Sequence, residues 1–179
     1  MSVSEQDVKY IESIVEEKLK KLLSEKKKRM AIIASKGTLD MAYPPLILAT
    51  TAAAMDIECS IFFTFYGLDI INKNKNKNLK VPSLANPAMP VPVPNIIGAL
   101  PGMTAMATMM MKGWMAKVNV PTITELLDIA VESGVKLIGC QMTLDVMGVK
   151  KEDLIEGVEV SGAASFLEYA SAADISLFV

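Results

Sequence analysis

Apolar residues in the first part of the chain recur every three or four positions, which is the spacing of one face of an α-helix. Ser4 can cap this predicted helix, and Asp7 follows three residues later, where an acidic residue is favoured. Glutamates and lysines cover the rest of its surface. The apolar stripe consists of Val8, Ile11, Val15, Leu19 and Leu22. Such a narrow stripe fits two interpretations equally: a helix that packs on its own domain, and a helix that pairs with another subunit.

From residue 30 onward, short apolar runs alternate with longer helical runs. Strands are predicted at MAIIAS (30–35), CSIFFTF (59–65), VKLIG (135–139), VEVSG (158–162) and ISLFV (175–179). Helices are predicted at 41–55, 120–134, directly after Cys140, and at 163–174. This alternation implies a parallel sheet with helices on both faces. The predicted fold class is α/β, a three-layer sandwich with a mainly parallel central sheet of about five strands, flavodoxin-like or related, plus the N-terminal helix.

Local signals refine three of these segments. Pro44 and Pro45 fall near the start of the 41–55 helix, where a first turn tolerates proline. Thr122 and Glu125 have capping-box spacing at the start of the 120–134 helix. The alternating NKNKNKN run (72–78) is too polar to pack and predicts a solvated loop.

The domain organisation predicted from these patterns has two parts. An amphipathic helix over residues 1–29 is a candidate for oligomerisation, and residues 30–179 form a single α/β domain with a Pro/Met-rich insertion at 81–117. The insertion has no charged residue from Val81 to Met111, and its second half spaces four large apolar residues along one helical face: Met103, Met106, Met110 and Trp114. A core or subunit-interface helix is the favoured interpretation, ahead of a lid or docking surface. Membrane insertion ranks last, because glycines and a proline break the apolar stretch.

Composition excludes several functions. Hydrophobic residues make up 51% of the 179 positions and the net charge is −2, which indicates a globular chain and gives no case for nucleic-acid binding. Two cysteines and the lack of a signal sequence fit a cytoplasmic location. The chain contains no histidine, which excludes Ser-His-Asp and Cys-His relays and leaves too few ligands for a structural zinc site. No metal or cofactor is therefore expected.

Cys140 stands between an apolar strand and a helix in LIGCQMTLDVMG (137–148). Parallel sheets bind ligands beyond the carboxyl ends of their strands, and a helix that starts after Cys140 would favour a thiolate. Gly139 would allow close approach of a backbone or a ligand. A buried, unreactive thiol is the competing interpretation. Cys59 begins a strand, at the opposite edge of the sheet from Cys140, and is predicted to be buried and unable to act as a resolving partner.

Further candidates follow the first two strands, at the same edge of the sheet. The loop SKGTLD (35–40) offers a glycine, a hydroxyl and a carboxylate, and FYGLD (65–69) offers a phenol and a glycine. An ordinary turn capped by Thr38 or Asp40 is the alternative interpretation of the first loop. The predicted substrate-binding residues are Gly37, Thr38, Asp40, Tyr66, Gly67, Gly139, Gln141 and Met142.

Four segments together resemble the DsrE/DsrF-like family, in a DsrE-related branch that also carries a peroxiredoxin-family label. They are IIASKGTLDMAYPPLILATTAAAMD, IFFTFYGL, PGMTAMATMMMKGWMAK and LIGCQMTLDVMGV, and the resemblance runs from about Arg29 to Val179. The resemblance implies an α/β three-layer fold, homo-oligomers and sulfur relay in the cytoplasm. It also implies that Cys140 carries sulfur as a persulfide, exchanged with TusA-like or rhodanese-like carrier proteins. Peroxidase chemistry is not expected, because the chain has no Thr-x-x-Cys arrangement.

Three functional hypotheses follow. The first is a sulfur-relay protein, sulfurtransferase-like if it is an enzyme, that uses a persulfide on Cys140. The second is a non-catalytic oligomeric ligand-binding or scaffold protein in which Cys140 is buried. The third is a membrane-associated transporter of sulfur species, and it rests on the 81–117 segment. The weaker form of this hypothesis is peripheral contact of the protein with a membrane.

Overall fold

A computed structural model describes residues 5–25, 27–82 and 102–179. Five parallel strands form one sheet in the order β4-β3-β2-β1-β5, with helices on both sides, which confirms the predicted α/β fold class. The strands are β1 (Arg29–Ala34), β2 (Glu58–Phe63), β3 (Lys136–Cys140), β4 (Val158–Ser161) and β5 (Ile175–Phe178). The helices are α1 (Glu5–Glu25), α2 (Leu39–Ala54), α3 (Leu68–Ile71), α4 (Met103–Lys117), α5 (Ile123–Glu132), α6 (Gln141–Met147) and α7 (Ala163–Ser171). Short 3-10 turns lie at Phe65–Gly67, Asn76–Asn78 and Lys151–Asp153.

The strand order follows from the direction of the crossover connections. β1 to β4 add in sequence toward one edge, and the chain then crosses back to place β5 beside β1. Because parallel crossovers are right-handed, this reversal moves α7 to the face of the sheet opposite α2 and α5. The two faces therefore have separate apolar cores.

The larger core lies between the sheet and the helices α2 and α5. Its fully buried members include Ile32, Leu46, Ile61, Phe63 and Leu127. A smaller cluster on the other face consists of Ala31, Phe62, Ile138, Cys140 and Phe166. In that cluster the rings of Phe62 and Phe166 stack with centroids 4.7 Å apart, so α7 is joined to the sheet by an aromatic pair.

The prediction for the prolines of α2 is wrong by one turn. The helix begins at Leu39, which places Pro44 and Pro45 in its second turn. Proline has no N–H, so the carbonyls of residues 40 and 41 lack their usual helical donors. Burial of Leu39 and Ala42 in the larger core accounts for the earlier start, since it stabilises the additional turn.

The NKNKNKN segment is not the solvated loop that its composition predicts. Asn72 and Asn76 are 4% and 3% exposed, whereas the three lysines between and after them face solvent. Asn72 pairs with Leu154 in an antiparallel bridge, and its side chain accepts a hydrogen bond from the backbone of Asn74. Local asparagine hydrogen bonds thus allow a highly polar run to pack against the domain.

The capping box of α5 forms as predicted. The hydroxyl of Thr122 accepts from the backbone N–H of Glu125 at 3.3 Å, and the Glu125 carboxylate accepts from the N–H of Thr122 at 2.7 Å. Ser4, the predicted cap of the first helix, lies outside the described residues.

The Met-rich helix α4 does not pack into the core with the face that was predicted as a core or subunit-interface face. Ala107, Met111 and Met115 contact the larger core, and Thr108 is buried. Met106, Met110 and Trp114 are between 41% and 51% exposed. The stripe that faces the domain thus combines two methionines with Ala107 and Thr108, and Met106, Met110 and Trp114 lie outside it. Residues 83–101 of the predicted insertion lie outside the described part of the chain. Within the residues that the structure describes, none of the helices combines the length and apolar character needed to cross a membrane.

Candidate functional site

Cys140 ends β3, an interior strand of the sheet between β4 and β2, and is the N-cap residue of α6. It lies opposite Ser161 of β4 in the parallel register, and 3% of its surface is exposed. Its thiol makes no capping hydrogen bond with the amides of α6 and belongs instead to the smaller apolar cluster with Phe62 and Phe166. The sequence therefore placed Cys140 at the correct edge, but the expected contact with the helix amides is absent in this arrangement.

Cys59 lies at the other end of the neighbouring strand and on the opposite face of the sheet. It is the second residue of β2 and packs into the larger core, 2% exposed. Burial raises the pKa of the Cys59 thiol to about 12, so the thiol is protonated at neutral pH. Both cysteines are free thiols, and their positions at opposite ends and faces prevent a disulfide between them.

Two threonines that were not predicted as site residues connect the first turn of α6 to the end of β2. The Thr143 hydroxyl lies 3.1 Å from the Thr64 hydroxyl and accepts a long hydrogen bond, 3.4 Å, from the backbone N–H of Phe65. Thr143 is 2% exposed. The available sequence signal was a pair of hydroxyl residues, each within four positions of a predicted strand end in an otherwise apolar context. This pair fixes the position of the helix that begins after Cys140.

Phe65 has an unusual backbone conformation beside this contact. Its φ angle is 47°, in the left-handed region that bulky residues rarely adopt. The Phe65 side chain is 56% exposed, next to Tyr66, which is 66% exposed. Met142 and Val146, four residues apart on α6, are also strongly exposed. Large apolar side chains therefore project from the carboxyl edges of both β2 and β3.

The loops after β1 and β2 interlock, which brings three of the predicted binding residues together. A side chain at Gly37 would overlap the carbonyl oxygen of Tyr66, and one at Gly67 would overlap the carbonyl oxygen of Ala34. The Gly67 N–H donates to the carbonyl of Ser35 at 3.2 Å. Both glycines thus allow close backbone approach between loops, as glycine does where no Cβ fits.

The remaining predicted binding residues have different surroundings. Thr38 is the N-cap residue of α2, but its side chain makes no capping hydrogen bond, and the partly buried Asp40 has an oxygen, Oδ1, without a partner among the described residues. Gln141 is exposed and donates to Asp145 at 2.8 Å. A Cβ at Gly139 would make ordinary van der Waals contacts with core side chains of Leu144, Leu154 and Ile71. The predicted close approach of a backbone or a ligand at Gly139 stays a prediction.

A surface groove of about 430 Å³ lies between α2, α4 and α5, away from the cysteine. Its lining includes Tyr43, Asn76, Lys112 and Met115, and the buried Asn76 has an oxygen without a described partner. Burial, with a smaller contribution from the charge of Glu125, raises the pKa of Tyr43. Cys140 is not among the residues that line this groove. Within the described ranges, no group of three or more His, Cys, Asp or Glu residues is placed to hold a metal ion.

The sequence and the fold of this chain match known proteins. The model of the DsrE/DsrF/DrsH-like family matches residues 26–178. The chain belongs to this family. Among its relatives, the sulfur carrier protein DsrE2 of Allochromatium vinosum is 49% identical over 158 residues, which cover 85% of this chain and 98% of the relative. The uncharacterized protein YrkE of Bacillus subtilis is 31% identical over 160 residues, covering 88% of this chain and all of YrkE.

A solved structure confirms the family fold. The ychN protein of E. coli superimposes with a TM-score of 0.53 over 85% of this chain and 99% of its own. Sequence identity in that comparison is 15%, so it shows the fold alone. This DsrE/DsrF/DrsH-like chain therefore has the predicted sheet, with Cys140 at the carboxyl end of β3.

Proposed function

We propose that this protein is a sulfur-relay protein that carries sulfur as a persulfide on Cys140. The observation that carries the proposal is the position of Cys140 at the carboxyl end of β3, an interior strand of the sheet, and at the start of α6. This is the edge where open parallel sheets bind their ligands. The 49% identity to a protein named sulfur carrier protein DsrE2 supports the sulfur assignment.

Sulfur enters and leaves by thiolate exchange, which needs no external oxidant or reductant. The Cys140 thiolate attacks the outer sulfur of a donor persulfide, R–S–SH. The donor S–S bond breaks, which gives Cys140–S–SH and the donor thiolate R–S⁻. An acceptor thiolate then attacks the outer sulfur of the Cys140 persulfide and regenerates the Cys140 thiolate. Cys59 takes no part, because its high pKa and its position keep it unreactive.

The buried position of Cys140 requires an opening step before exchange. A thiol with 3% exposure cannot meet a sulfur atom on another protein. The smaller cluster that covers it includes Phe166, the one fully buried side chain of α7. Tyr169 also joins α7 to the sheet, because its hydroxyl donates to the backbone carbonyl of Glu58 at 3.1 Å. We infer that displacement of α7 exposes the thiol, and that rotation toward α6 then places the persulfide anion near the free amides of the helix start.

The partners of this exchange are proteins of the TusA-like or rhodanese-like type in the cytoplasm. The exposed apolar side chains of Phe65, Tyr66, Met142 and Val146 offer them a surface at the same sheet edge. The exposed methionines of α4 provide a second adaptable surface. A homo-oligomer would present several copies of the edge at once.

Intact mass spectrometry tests the proposal after incubation with glutathione persulfide. Wild type and Cys59→Ala gain the mass of one sulfur atom, whereas Cys140→Ser gains none. On addition of a purified TusA-like carrier, the added sulfur moves to the carrier. The proposal fails if wild type gains no sulfur, or if Cys140→Ser gains as much as wild type.

One observation favours the second candidate, a non-catalytic ligand-binding or scaffold protein. Cys140 is buried and lacks the hydrogen bond to the helix amides that an activated thiolate would use. The rate of alkylation by iodoacetamide between pH 6 and 9 separates the two functions. A relay thiol reacts at neutral pH in the folded protein, whereas a purely structural thiol reacts only on unfolding.

A further inference from the structure

Hydroxyl residues flank Cys140 on both neighbouring strands. On the β4 side, the parallel register pairs Cys140 with Ser161. On the β2 side, Gly139 pairs with Phe63. The next position along each strand brings Thr64 level with Cys140. Because adjacent strands lie about 4.8 Å apart, both hydroxyl side chains are direct neighbours of the cysteine side chain.

The two hydroxyl residues project to the face of the sheet that α7 covers. Side chains alternate between the two faces along a strand, and register partners point the same way. Phe62, Ile138 and Cys140 belong to the smaller cluster on that face. Thr64 follows Phe62 by two positions and therefore projects to the same side, as does Ser161, the register partner of Cys140. Both hydroxyls thus adjoin the thiol beside a cluster of apolar side chains.

These hydroxyls can still donate hydrogen bonds. The Thr64 and Thr143 hydroxyls lie 3.1 Å apart, so one of their two hydrogens is shared between the oxygens. Thr143 also accepts from the backbone N–H of Phe65, and the second hydroxyl hydrogen of the pair has no acceptor among the described residues. The Ser161 hydroxyl makes no hydrogen bond to another residue in the described ranges. Both strands therefore offer a donor beside Cys140 that no protein acceptor uses.

A persulfide on Cys140 would need such donors. When it loses its proton, the negative charge lies on the outer sulfur, and burial of an isolated charge among apolar side chains is costly. Hydrogen bonds to an anion are stronger than those between neutral groups. The outer sulfur also extends the side chain by about 2 Å. The loaded side chain therefore has a longer reach than the thiol, which is not hydrogen-bonded to either hydroxyl.

We propose that the hydroxyls of Thr64 and Ser161 bind the outer sulfur of the Cys140 persulfide while α7 covers it. The inference rests on the proposed sulfur-relay function and adds two residues to the same site. The persulfide releases one proton to solvent and becomes Cys140–S–S⁻, to which both hydroxyls donate. Thr143 is a positioning residue, since its hydroxyl holds that of Thr64.

Binding of the anion protects the carried sulfur from small thiols. A thiolate R–S⁻ attacks the outer sulfur of the protonated form, Cys140–S–SH, which gives R–S–SH and the Cys140 thiolate. The anionic form repels the incoming thiolate, and its hydrogen bonds also oppose the detachment of α7. Loss of either hydroxyl should therefore make the loaded protein lose its sulfur faster.

Discharge of the loaded protein tests the inference. Each protein is loaded with glutathione persulfide, freed of excess reagent and mixed with glutathione, and intact mass spectrometry follows the loss of one sulfur atom. Thr64→Val and Ser161→Ala should discharge about tenfold faster than wild type, because each lacks one hydrogen bond to an anion. Thr64→Ser keeps the hydroxyl and should discharge nearly as slowly as wild type. Thr51→Val is the control, since the Thr51 hydroxyl donates within α2.

Alkylation of the unloaded protein separates hydrogen bonding from access to the site. Iodoacetamide should alkylate Cys140 at the wild-type rate in Thr64→Val and Ser161→Ala, because the unloaded thiol is not hydrogen-bonded to either hydroxyl. If alkylation and discharge accelerated by the same factor, the substitutions would only loosen α7, and the inference would be overturned.

Other outcomes separate this inference from the sulfur-relay function. If neither Thr64→Val nor Ser161→Ala discharges faster than wild type, the hydroxyls do not bind the persulfide, although the relay function stands. If Thr64→Ser discharges as fast as Thr64→Val, the shape of the side chain matters and its hydroxyl does not. A wild-type protein that gains no sulfur from glutathione persulfide would overturn the relay function, and this inference with it.

Discussion

The hydroxyls of Thr143 and Thr64 lie 3.1 Å apart and connect the first turn of α6 to the end of β2. Thr143 also accepts from the N–H of Phe65, whose backbone is strained with φ at 47°. The contact therefore fixes two segments at once: the helix that starts after Cys140 and the turn that displays Phe65.

Thr143→Val removes this hydroxyl while keeping the shape of the side chain. We expect the free energy of unfolding to fall by about 1–2 kcal/mol, because a buried N–H and the Thr64 hydroxyl lose their partner. Urea denaturation measures the change. Thr51→Val is the matched control, since the Thr51 hydroxyl donates only to Ile47 in its own exposed helical turn. A double-mutant cycle with Thr64→Val should give a coupling energy of about 1 kcal/mol, and additive effects would show that the hydroxyl pair contributes nothing.

Gly67→Ala tests the close contact between the loops after β1 and β2. An added methyl group would overlap the backbone carbonyl of Ala34, which cannot move aside without disturbing β1. We expect a loss of about 3 kcal/mol in the free energy of unfolding, at the upper end of the usual cost of overpacking. Gly113→Ala in α4 is the control, because nothing lies within 4 Å of the position that its added methyl group would occupy, and alanine favours helix. Gly113→Ala should raise the free energy of unfolding by roughly 0.5–1 kcal/mol. If Gly67→Ala also raised the free energy of unfolding, the predicted clash would be contradicted.

The strands were predictable from sequence because each is a short apolar run bounded by polar or turn residues. The prediction for β1 was displaced by one residue and that for β5 was one residue too long. Alternation of strands and helices implied the parallel sheet, and the position of Cys140 at its carboxyl edge followed from the same pattern. The capping box of Thr122 and Glu125 was predictable because all of its atoms lie within one helical turn.

The surroundings of Cys140 were not predictable, because they depend on contacts between distant segments. Alternation along β3 places Ile138 and Cys140 on one face, but only the crossover to β5 determines that α7 covers that face. Thr64 and Thr143 are 79 positions apart, and a single sequence carries no signal that pairs them. Asn72 is buried with a local hydrogen bond from the backbone of Asn74 to its side chain, although the composition of its segment is strongly polar. Asn76 is buried as well, and its backbone N–H donates to the carbonyl of Asn72.

The ion pairs of Glu58 predict a pH dependence of stability. The Glu58 carboxylate accepts from Arg29 at 3.1 Å and from Lys136 at 3.3 Å. Partial burial raises the pKa of Glu58, but the hydrogen bonds and charges of Lys136 and Arg29 outweigh burial and leave the pKa below 4.5. Because the folded-state pKa is lowered, the stabilisation is present above the unfolded pKa and is lost as the pH falls through the folded value.

Glu58→Gln should therefore lower the free energy of unfolding by about 1 kcal/mol near pH 7, with little difference from wild type near pH 3. Chemical denaturation at a series of pH values measures this difference. Glu159→Gln provides the control, because Glu159 is exposed on β4 without an ion pair to another described residue. If the free energy of unfolding of Glu58→Gln stays below that of wild type by a constant amount from about pH 7 to pH 3, the charge of Glu58 is not the cause of the difference.

The stacking of Phe166 on Phe62 predicts how the Cys140 thiol becomes accessible. Phe166 is 2% exposed and shares the small cluster with Cys140, and the other described side chains of α7 are at least partly exposed. Phe166→Leu removes the aromatic pair but keeps an apolar side chain, so α7 should detach more often while the sheet stays folded. We expect alkylation of Cys140 to become about tenfold faster for each 1.4 kcal/mol by which the free energy of α7 detachment falls.

The urea dependence of the labelling rate identifies the opening that allows reaction. Local detachment of α7 exposes little surface, so the alkylation rate of Cys140 should be nearly independent of urea below the unfolding transition. If Cys140 reacted only through global unfolding, the alkylation rate would rise steeply with urea concentration. Leu167→Ala, which alters a 61% exposed residue of the same helix, should leave the rate unchanged. Cys140 in the Phe166→Leu variant could be alkylated no faster than in wild type, or faster only by the factor that the loss of global stability explains. Either result would show that α7 does not control access to Cys140.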